Sequence, residues 1–393
     1  MRFDVRILAK KAAIAVCGLT LLSATSVQAK SVTDCPNRDT PFSSSSPMID
    51  LMLSPAASAV LAKAVPGRMG GPLPPSISGT TTPSFMAILT LREASRFTGI
   101  DVAKLPEIDS ELRALPVTEA DKIARCVRFD NEVPVFNLPK GKPRFLLFEK
   151  INGFKDTPSV NAAHAAFLAM AERKGWAVAT TDKGGAFNAK TLKQFDAVIW
   201  NNISGDVLSL SQRKALQDYL KTGGGFVAVH GSAGDPVYFW DWYPDTLIGA
   251  RFKGHPMNPQ FQEARVVVNT AHPLAKAVPS EWRMTDEWYS FRTNPRAVGA
   301  NVLLTLDEST YKPEGMGQDL KMGDDHPIAW TNCVGKGRMF YSAIGHMPET
   351  YSQPQHDALL ESALDWAATD RSACNTPRRE SAPAARPRPG AAR

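Results

Sequence analysis

The chain has 393 residues, 43% of them hydrophobic and 21% charged, with a formal net charge of +6. That charge sits at the ends: residues 1–29 carry +3 and residues 371–393 carry +5, which leaves −2 for everything between. A near-neutral body lacks the basic footprint of a nucleic-acid surface. After the N-terminal thirty residues no stretch is apolar for the roughly 20 residues that a membrane span takes.

The N-terminus has the three parts of a secretory leader. Arg2, Arg6, Lys10 and Lys11 form a basic region, Ala12 to Ala24 an apolar one, and Val27-Gln28-Ala29 a small-residue cleavage site. Residues 1–29 are therefore expected to be a signal peptide, with export to the periplasm or beyond and no membrane anchor after cleavage. Residues 30–140 are expected to be a helical extension. Ile49, Met52, Leu53, Val60 and Leu61 suit short helices, Gly67 to Pro83 reads as an irregular connection, and Pro83–Thr98 and Pro116–Val127 read as helical. Thr118, followed three residues later by Asp121, has the spacing of a capping box. At the other end, residues 371–393 are rich in Pro, Ala and Arg and cannot bury enough apolar surface to fold.

From Arg144 the pattern alternates between strand and helix. Phe145–Phe148, Trp176–Thr180, Phe195–Trp200 and Phe226–Val229 read as strands, separated by helices over Ser159–Lys174 and Ser211–Lys221. A terminal hairpin, Pro327–Trp330 and Arg338–Tyr341, precedes a helix over Gln355–Ala368. Alternation of this kind implies an α/β domain over residues 141–370, with parallel strands, right-handed crossovers and helices on both faces.

Topology also bears on the cysteines. Without Cys17 of the leader, four remain: Cys35, Cys126, Cys333 and Cys374. An even number in an oxidising compartment suggests two disulfides, and three pairings are possible. The hairpin turn lies at the opposite sheet edge from His346, and the last helix runs back toward it. Cys333–Cys374 is thus the preferred pair, leaving Cys35–Cys126.

Ligands of open parallel sheets bind beyond the carboxyl ends of the strands. His230 directly follows the fourth strand. His346 lies just past the last strand and His326 at the start of its antiparallel partner, so all three should share that edge. Asn152 to Asp156 and Asn201-Asn202, after the first and third strands, should join them. An imidazole can serve as acid, base or metal ligand near neutral pH. Asp286-Glu287, in what reads as a loop rich in Trp282, Trp288, Tyr289 and Phe291, adds carboxylates for proton transfer and aromatic faces for a sugar ring. Several His plus a carboxylate would suit a divalent first-row metal, yet no compact H-E-x-x-H spacing occurs, so a metal is compatible with the sequence without being strongly implied and the cofactor stays open. His230-Gly231-Ser232-Ala233-Gly234 approaches the G-x-S-x-G elbow of serine hydrolases, but a His in place of the first Gly crowds that turn. His164, His272 and His356 read as structural.

Four separated motifs carry a family resemblance. Gly223 to Gly231, Asp286-Glu287-Trp288-Tyr289, His326 to Thr331, and Gly335 to Tyr341 running on to Gly345-His346 resemble the ThuA-like (trehalose utilisation) family over about residues 144–368. The resemblance implies a flavodoxin-like, class I glutamine amidotransferase-like fold, with His230 at the turn that holds the nucleophilic Cys in amidotransferases. Without a thiol there, glutamine hydrolysis by the usual route is excluded. Asp156, in Gly153-Phe154-Lys155-Asp156, stands where the family commonly has His. His255, after Arg251-Phe252-Lys253-Gly254, belongs to a further family-like motif.

These readings combine into an expected function in carbohydrate metabolism. The partner would be a small-molecule carbohydrate, a glycoside or an oxidised (3-keto) sugar. His230, His346 and Glu287 are the expected catalytic residues, His230 and His346 both facing a wet cleft. Asp156, Asn201, His255, Asp286, Tyr289 and His326 are the expected substrate contacts. The alternative is a non-catalytic carbohydrate-binding or scaffold protein.

Overall fold

The computed structural model describes residues 32–64, 78–315 and 317–374. The leader and all but the first four residues of the Pro/Arg-rich tail lie outside the described residues, as does most of the Gly67–Pro83 connection. Among the described residues no helix is long and apolar enough to cross a membrane.

Before the first strand the described residues include five short α-helices: α1 (Met48–Leu53), α2 (Pro55–Ala64), α3 (Leu91–Thr98), α4 (Leu105–Arg113) and α5 (Glu119–Cys126). They close on an apolar cluster of their own, including Phe42, Met48, Leu51, Leu61, Leu91 and Leu112. The capping box at α5 is present: Thr118 Oγ1 accepts from the Asp121 amide at 3.2 Å and Asp121 Oδ2 accepts from the Thr118 amide at 2.9 Å. The expected Pro83–Thr98 helix is divided into a 3₁₀ turn, Phe85–Ile88, and α3. Helix α4 has no counterpart in the expectations.

The α/β part runs β1 (Arg144–Phe148), α6 (Thr157–Lys174), β2 (Ala177–Thr181), α7 (Ala189–Leu192), β3 (Ala197–Asn201), α8 (Leu210–Lys221) and β4 (Gly225–Val229). Then follow β5 (Phe252–Gly254), β6 (Phe261–Val268), β7 (Glu281–Glu287), β8 (Ser290–Phe291), β9 (Asn301–Asp307), β10 (Glu314–Gly315) and β11 (Gln318–Asp319). The chain finishes with β12 (His326–Val334), β13 (Gly337–Ser342) and α9 (Pro354–Thr369).

Nine strands form one sheet in the order β2-β1-β3-β4-β13-β12-β9-β6-β7. Strands β2, β1, β3, β4 and β13 are mutually parallel. From β12 to β7 every pairing is antiparallel. The parallel half and the antiparallel terminal hairpin are as expected, and the sheet continues beyond them in an antiparallel wing over residues 261–307 that the expectation did not include. Strands β3 and β4 are buried throughout, as expected for strands covered on both faces. From β1 the chain steps one way to β2 and the other way to β3 and β4. With right-handed crossovers, this puts α6 and α8 on opposite faces. Helix α9 shares the α6 face, since Arg173 pairs with both Asp357 and Glu361.

Disulfides join Cys35 to Cys126 and Cys333 to Cys374. The second ties the β12–β13 hairpin to the chain after α9, at the sheet edge opposite the histidines.

Candidate active site

Parallel pairing of β13 with β4 sets Ser342 beside Val229, so the residues after both strands emerge together. His230 follows β4 with φ +32°, a region a residue bearing a Cβ rarely adopts. Two contacts hold that turn: Asn202 Oδ1 accepts from the Gly231 amide at 3.0 Å, and Tyr341 Oη donates to the His230 carbonyl at 2.9 Å. The His230 ring packs against Tyr289, with centroids 4.2 Å apart. Its Nδ1 donates to the Ala343 carbonyl at 2.8 Å, which turns Nε2 toward the cleft.

Three groups meet at that Nε2. His346 Nδ1 is 3.2 Å away and Glu287 Oε2 is 3.4 Å away, while His346 Nδ1 and Glu287 Oε2 are 3.0 Å apart. Strand β7 runs in the same direction as β4, so Glu287 ends at the same edge. Five strand spacings on a flat sheet would still separate them by about 24 Å. The 3.4 Å contact between Glu287 and His230 therefore requires the sheet to coil, so that the end of β7 returns toward β4. Contrary to the loop expectation, Asp286 and Glu287 are the last residues of a strand.

Each member is fixed from behind. The other Glu287 oxygen, Oε1, accepts from Gln260 Nε2 at 2.5 Å and lies 3.1 Å from His255 Nδ1. Asp286, fully buried, accepts from the amides of Gly345, His346 and Met347 at 2.6, 3.1 and 3.0 Å, clamping the loop that carries His346. Gly345, at φ +138°, has no room for a side chain, because an added Cβ would meet Tyr351 Oη at 2.3 Å. Burial pushes Glu287 upward, but hydrogen bonds from His230 and His346 outweigh it and hold the carboxyl well below the usual range. Burial draws His346 downward, and Glu287 more than reverses this, leaving its pKa raised. Burial raises Asp286.

Of the expected residues, His230, His346, Glu287, His255 and Tyr289 gather here. The others are held in bonds around the cluster, with Asp156 near enough to His346 to help raise its pKa. Asn201 spends its amide on Glu149 and the Val160 carbonyl, tying β3 to β1 and α6. Asp156 caps α6 through the Ser159 amide, and Ser159 Oγ also contacts the His346 carbonyl. Asp286 is a backbone clamp. His326 is wholly buried, with Nε2 donating to the Tyr289 carbonyl and Nδ1 2.8 Å from Glu308. His230 itself is only 3% exposed, which corrects the wet-cleft expectation; His346 is the member at the opening. Ser232 is buried and bonded to the Trp200 carbonyl and Ile203 amide, so it forms no triad. Two residues escaped the sequence reading, Gln260 and the exposed Phe261, whose ring lies 5.2 Å from His346. Phe261 pairs directly with Glu287 in the β6–β7 register, a relation invisible without that hairpin.

Such a sheet, with His230 in the tight turn after a central parallel strand, is an α/β domain of the flavodoxin-like, class I glutamine amidotransferase-like fold. The chain belongs to the ThuA family, described as trehalose utilisation, whose model matches residues 144–367. A solved ThuA-like protein from Bacteroides uniformis ATCC 8492 superposes with TM-score 0.50 at 24% identity, over 60% of this chain and 95% of its own. Another, from Parabacteroides merdae ATCC 43184, gives TM-score 0.43 at 18% identity, over 61% and 94%. A GH42 β-galactosidase from G. stearothermophilus gives 0.37 at 13%, over 67% of this chain and 33% of its own. At 24% identity the first speaks to the fold alone. No curated protein matches the chain.

Proposed function

We propose that this is a periplasmic carbohydrate-processing enzyme acting on a glycoside or an oxidised (3-keto) sugar at the carboxyl edge of the sheet. The observation that carries the reading is the triangle of His230 Nε2, His346 Nδ1 and Glu287 Oε2, three proton-handling atoms within 3.4 Å of one another. A carbonyl on a sugar ring acidifies the neighbouring C–H. A paired base and acid beside it are what elimination, hydrolysis or isomerisation there requires. His346 at the opening and the exposed face of Phe261 beside it suit a ring that enters from solvent. Membership of a family described as trehalose utilisation supports the substrate class. The two disulfides support an oxidising compartment.

The organisation we propose keeps a signal peptide at 1–29, a helical extension at 30–140, the ThuA-like domain at 141–370 and a tail at 371–393. Purified protein should turn over at least one member of a panel of plain and 3-oxidised disaccharides, with products followed by mass spectrometry. Saturable binding without turnover would replace the enzyme with a carbohydrate-binding or scaffold protein.

A further inference from the structure

We propose that His230, His346 and Glu287 form a binding site for a single first-row divalent cation, of which zinc is the representative. The inference rests on the reading that this cluster is the working site and is independent of which sugar is processed; with a cation bound, the three atoms act as its ligands, and a water or substrate oxygen on the cation takes over the proton transfer.

The first argument is proton counting. His230 Nδ1 faces the Ala343 carbonyl at 2.8 Å, and a carbonyl can only accept, so Nδ1 carries the hydrogen. In neutral imidazole that leaves Nε2 as a bare lone pair. This lone pair looks at a carboxylate oxygen 3.4 Å away and at a second imidazole nitrogen 3.2 Å away. Two neutral rings supply at most one hydrogen, on His346 Nδ1, for three short edges. A triangle of this composition asks for added positive charge, which either further protons on the rings or a bound cation supplies; the choice between them rests on the distances and the outer contacts.

The second argument is size. Nitrogen and oxygen ligands sit about 2.0–2.2 Å from zinc, so tetrahedral or octahedral angles place neighbouring ligand atoms about 2.9–3.5 Å apart. The three observed edges are 3.0, 3.2 and 3.4 Å. These three residues are also the group among the described residues whose donor atoms are close enough to share an ion.

The third argument is the outer support, which a ligand set needs to hold its shape. Ala343 fixes the His230 ring, Gln260 and His255 occupy the outer oxygen of Glu287, and Asp286 clamps the backbone at His346. For His230 and Glu287 the atom left over is the one aimed at the common centre, while for His346 the clamp sets the backbone from which the ring reaches it. Two imidazoles and one carboxylate are borderline donors, which favours zinc, manganese, iron or cobalt over magnesium or calcium. Three protein ligands leave coordination positions for water or a substrate oxygen, the pattern of a catalytic site; a bound cation would polarise a sugar carbonyl there.

The test uses mature, tag-free protein, stripped with chelator and then dialysed. Calorimetric titration with zinc should give about one site per chain, and cobalt should develop a visible absorption band that zinc abolishes. Glu287→Gln and His346→Ala should each weaken zinc binding by roughly 100-fold, the upper end of what even an outer partner contributes. His164→Ala, at a histidine paired with Glu149, should leave the affinity unchanged. His230→Ala is read only if its circular dichroism matches the parent, because that ring is buried. No zinc uptake, or uptake indifferent to both Glu287→Gln and His346→Ala, overturns the site. Metal binding without turnover of any sugar leaves the cation site standing and defeats the carbohydrate reading. Turnover by stripped protein that takes up no metal does the reverse.

Discussion

Nε2 of His230 lies 3.2 Å from Nδ1 of His346, although 116 residues of chain separate them. Parallel pairing of β4 with β13 is the cause, since both imidazoles leave the sheet at the same edge. Their surroundings differ, and so should the consequences of removing them. Both His230→Ala and His346→Ala should lower kcat/KM by about 10²–10⁴-fold, the usual contribution of a positioned proton-transfer group. His346 sits at the opening, so its loss should change Tm little. His230 is buried, packs on Tyr289 and donates to Ala343, so its loss should also cost about 1–3 kcal/mol of stability. Full activity in His346→Ala would remove the cluster from the chemistry.

Asp286 touches the site only through backbone. Its carboxylate accepts from three consecutive amides, and replacing one oxygen with an NH₂ sets donor against donor inside the core. Asp286→Asn should destabilise the protein by about 1–3 kcal/mol and release the His346 loop. As a positioning residue it should lower kcat more than it changes KM for whichever sugar is turned over. An Asn variant with parental Tm and kcat would show that the clamp is dispensable.

The parallel half of the fold was legible in the sequence because its strands are buried on both faces, and such strands read as continuous apolar runs between caps and glycines. Strand polarity then placed His230 and His346 at one edge without any contact information, and the same polarity paired Cys333 with Cys374. The antiparallel wing was not legible. Strand β7 alternates Glu281, Arg283 and Thr285 with buried Trp282 and Met284, and β6 alternates from Glu263 on, a half-exposed pattern that a search for apolar runs passes over, and the 3₁₀ turn at Pro273–Ala277 separates the two strands. Glu287 was therefore named from a motif alone, and Gln260 and Phe261 were missed. Asn201, Asp156 and His326 were placed at the correct edge, but edge position does not say which way a side chain turns. Each is spent on an internal hydrogen bond.

The Cys333–Cys374 bridge spans 41 residues. The chain-entropy model assigns such a loop about 4 kcal/mol, before any native-state strain is subtracted. The double variant Cys333→Ser/Cys374→Ser should lower Tm by several degrees while leaving sugar turnover at 25 °C near the parental value, since the bridge lies at the edge opposite His230. Peptide mapping of the oxidised protein should recover Cys333 joined to Cys374. Recovery of Cys374 free, or joined to Cys35, would overturn both the pairing and the stability argument.

Asp235 should make stability depend on pH in the reverse of the usual carboxylate sense. It accepts from Ser204 Oγ at 2.5 Å and from the Gly205 amide at 2.7 Å, yet burial outweighs both and pushes its pKa up to about 7, with nearby Asp206 adding to the rise. An unfolded chain would release that proton near its ordinary value, about 4. Between those two values the folded state holds more protons, so stability falls as pH rises. Asp235's contribution is complete below pH 4 and is lost as pH passes through 7, a total of about 4 kcal/mol at most for a shift of this size. His272 and His356, both drawn down to about 4 by burial, act oppositely: their contribution is present above the ordinary histidine value and is lost as pH falls toward 4. The raw profile therefore mixes both signs, and the clean quantity is a difference. Parent minus Asp235→Asn, measured by urea unfolding from pH 4 to 8, cancels the histidines and should decline across that window by up to a few kcal/mol. A flat difference curve would mean that the folded carboxyl titrates near its ordinary value.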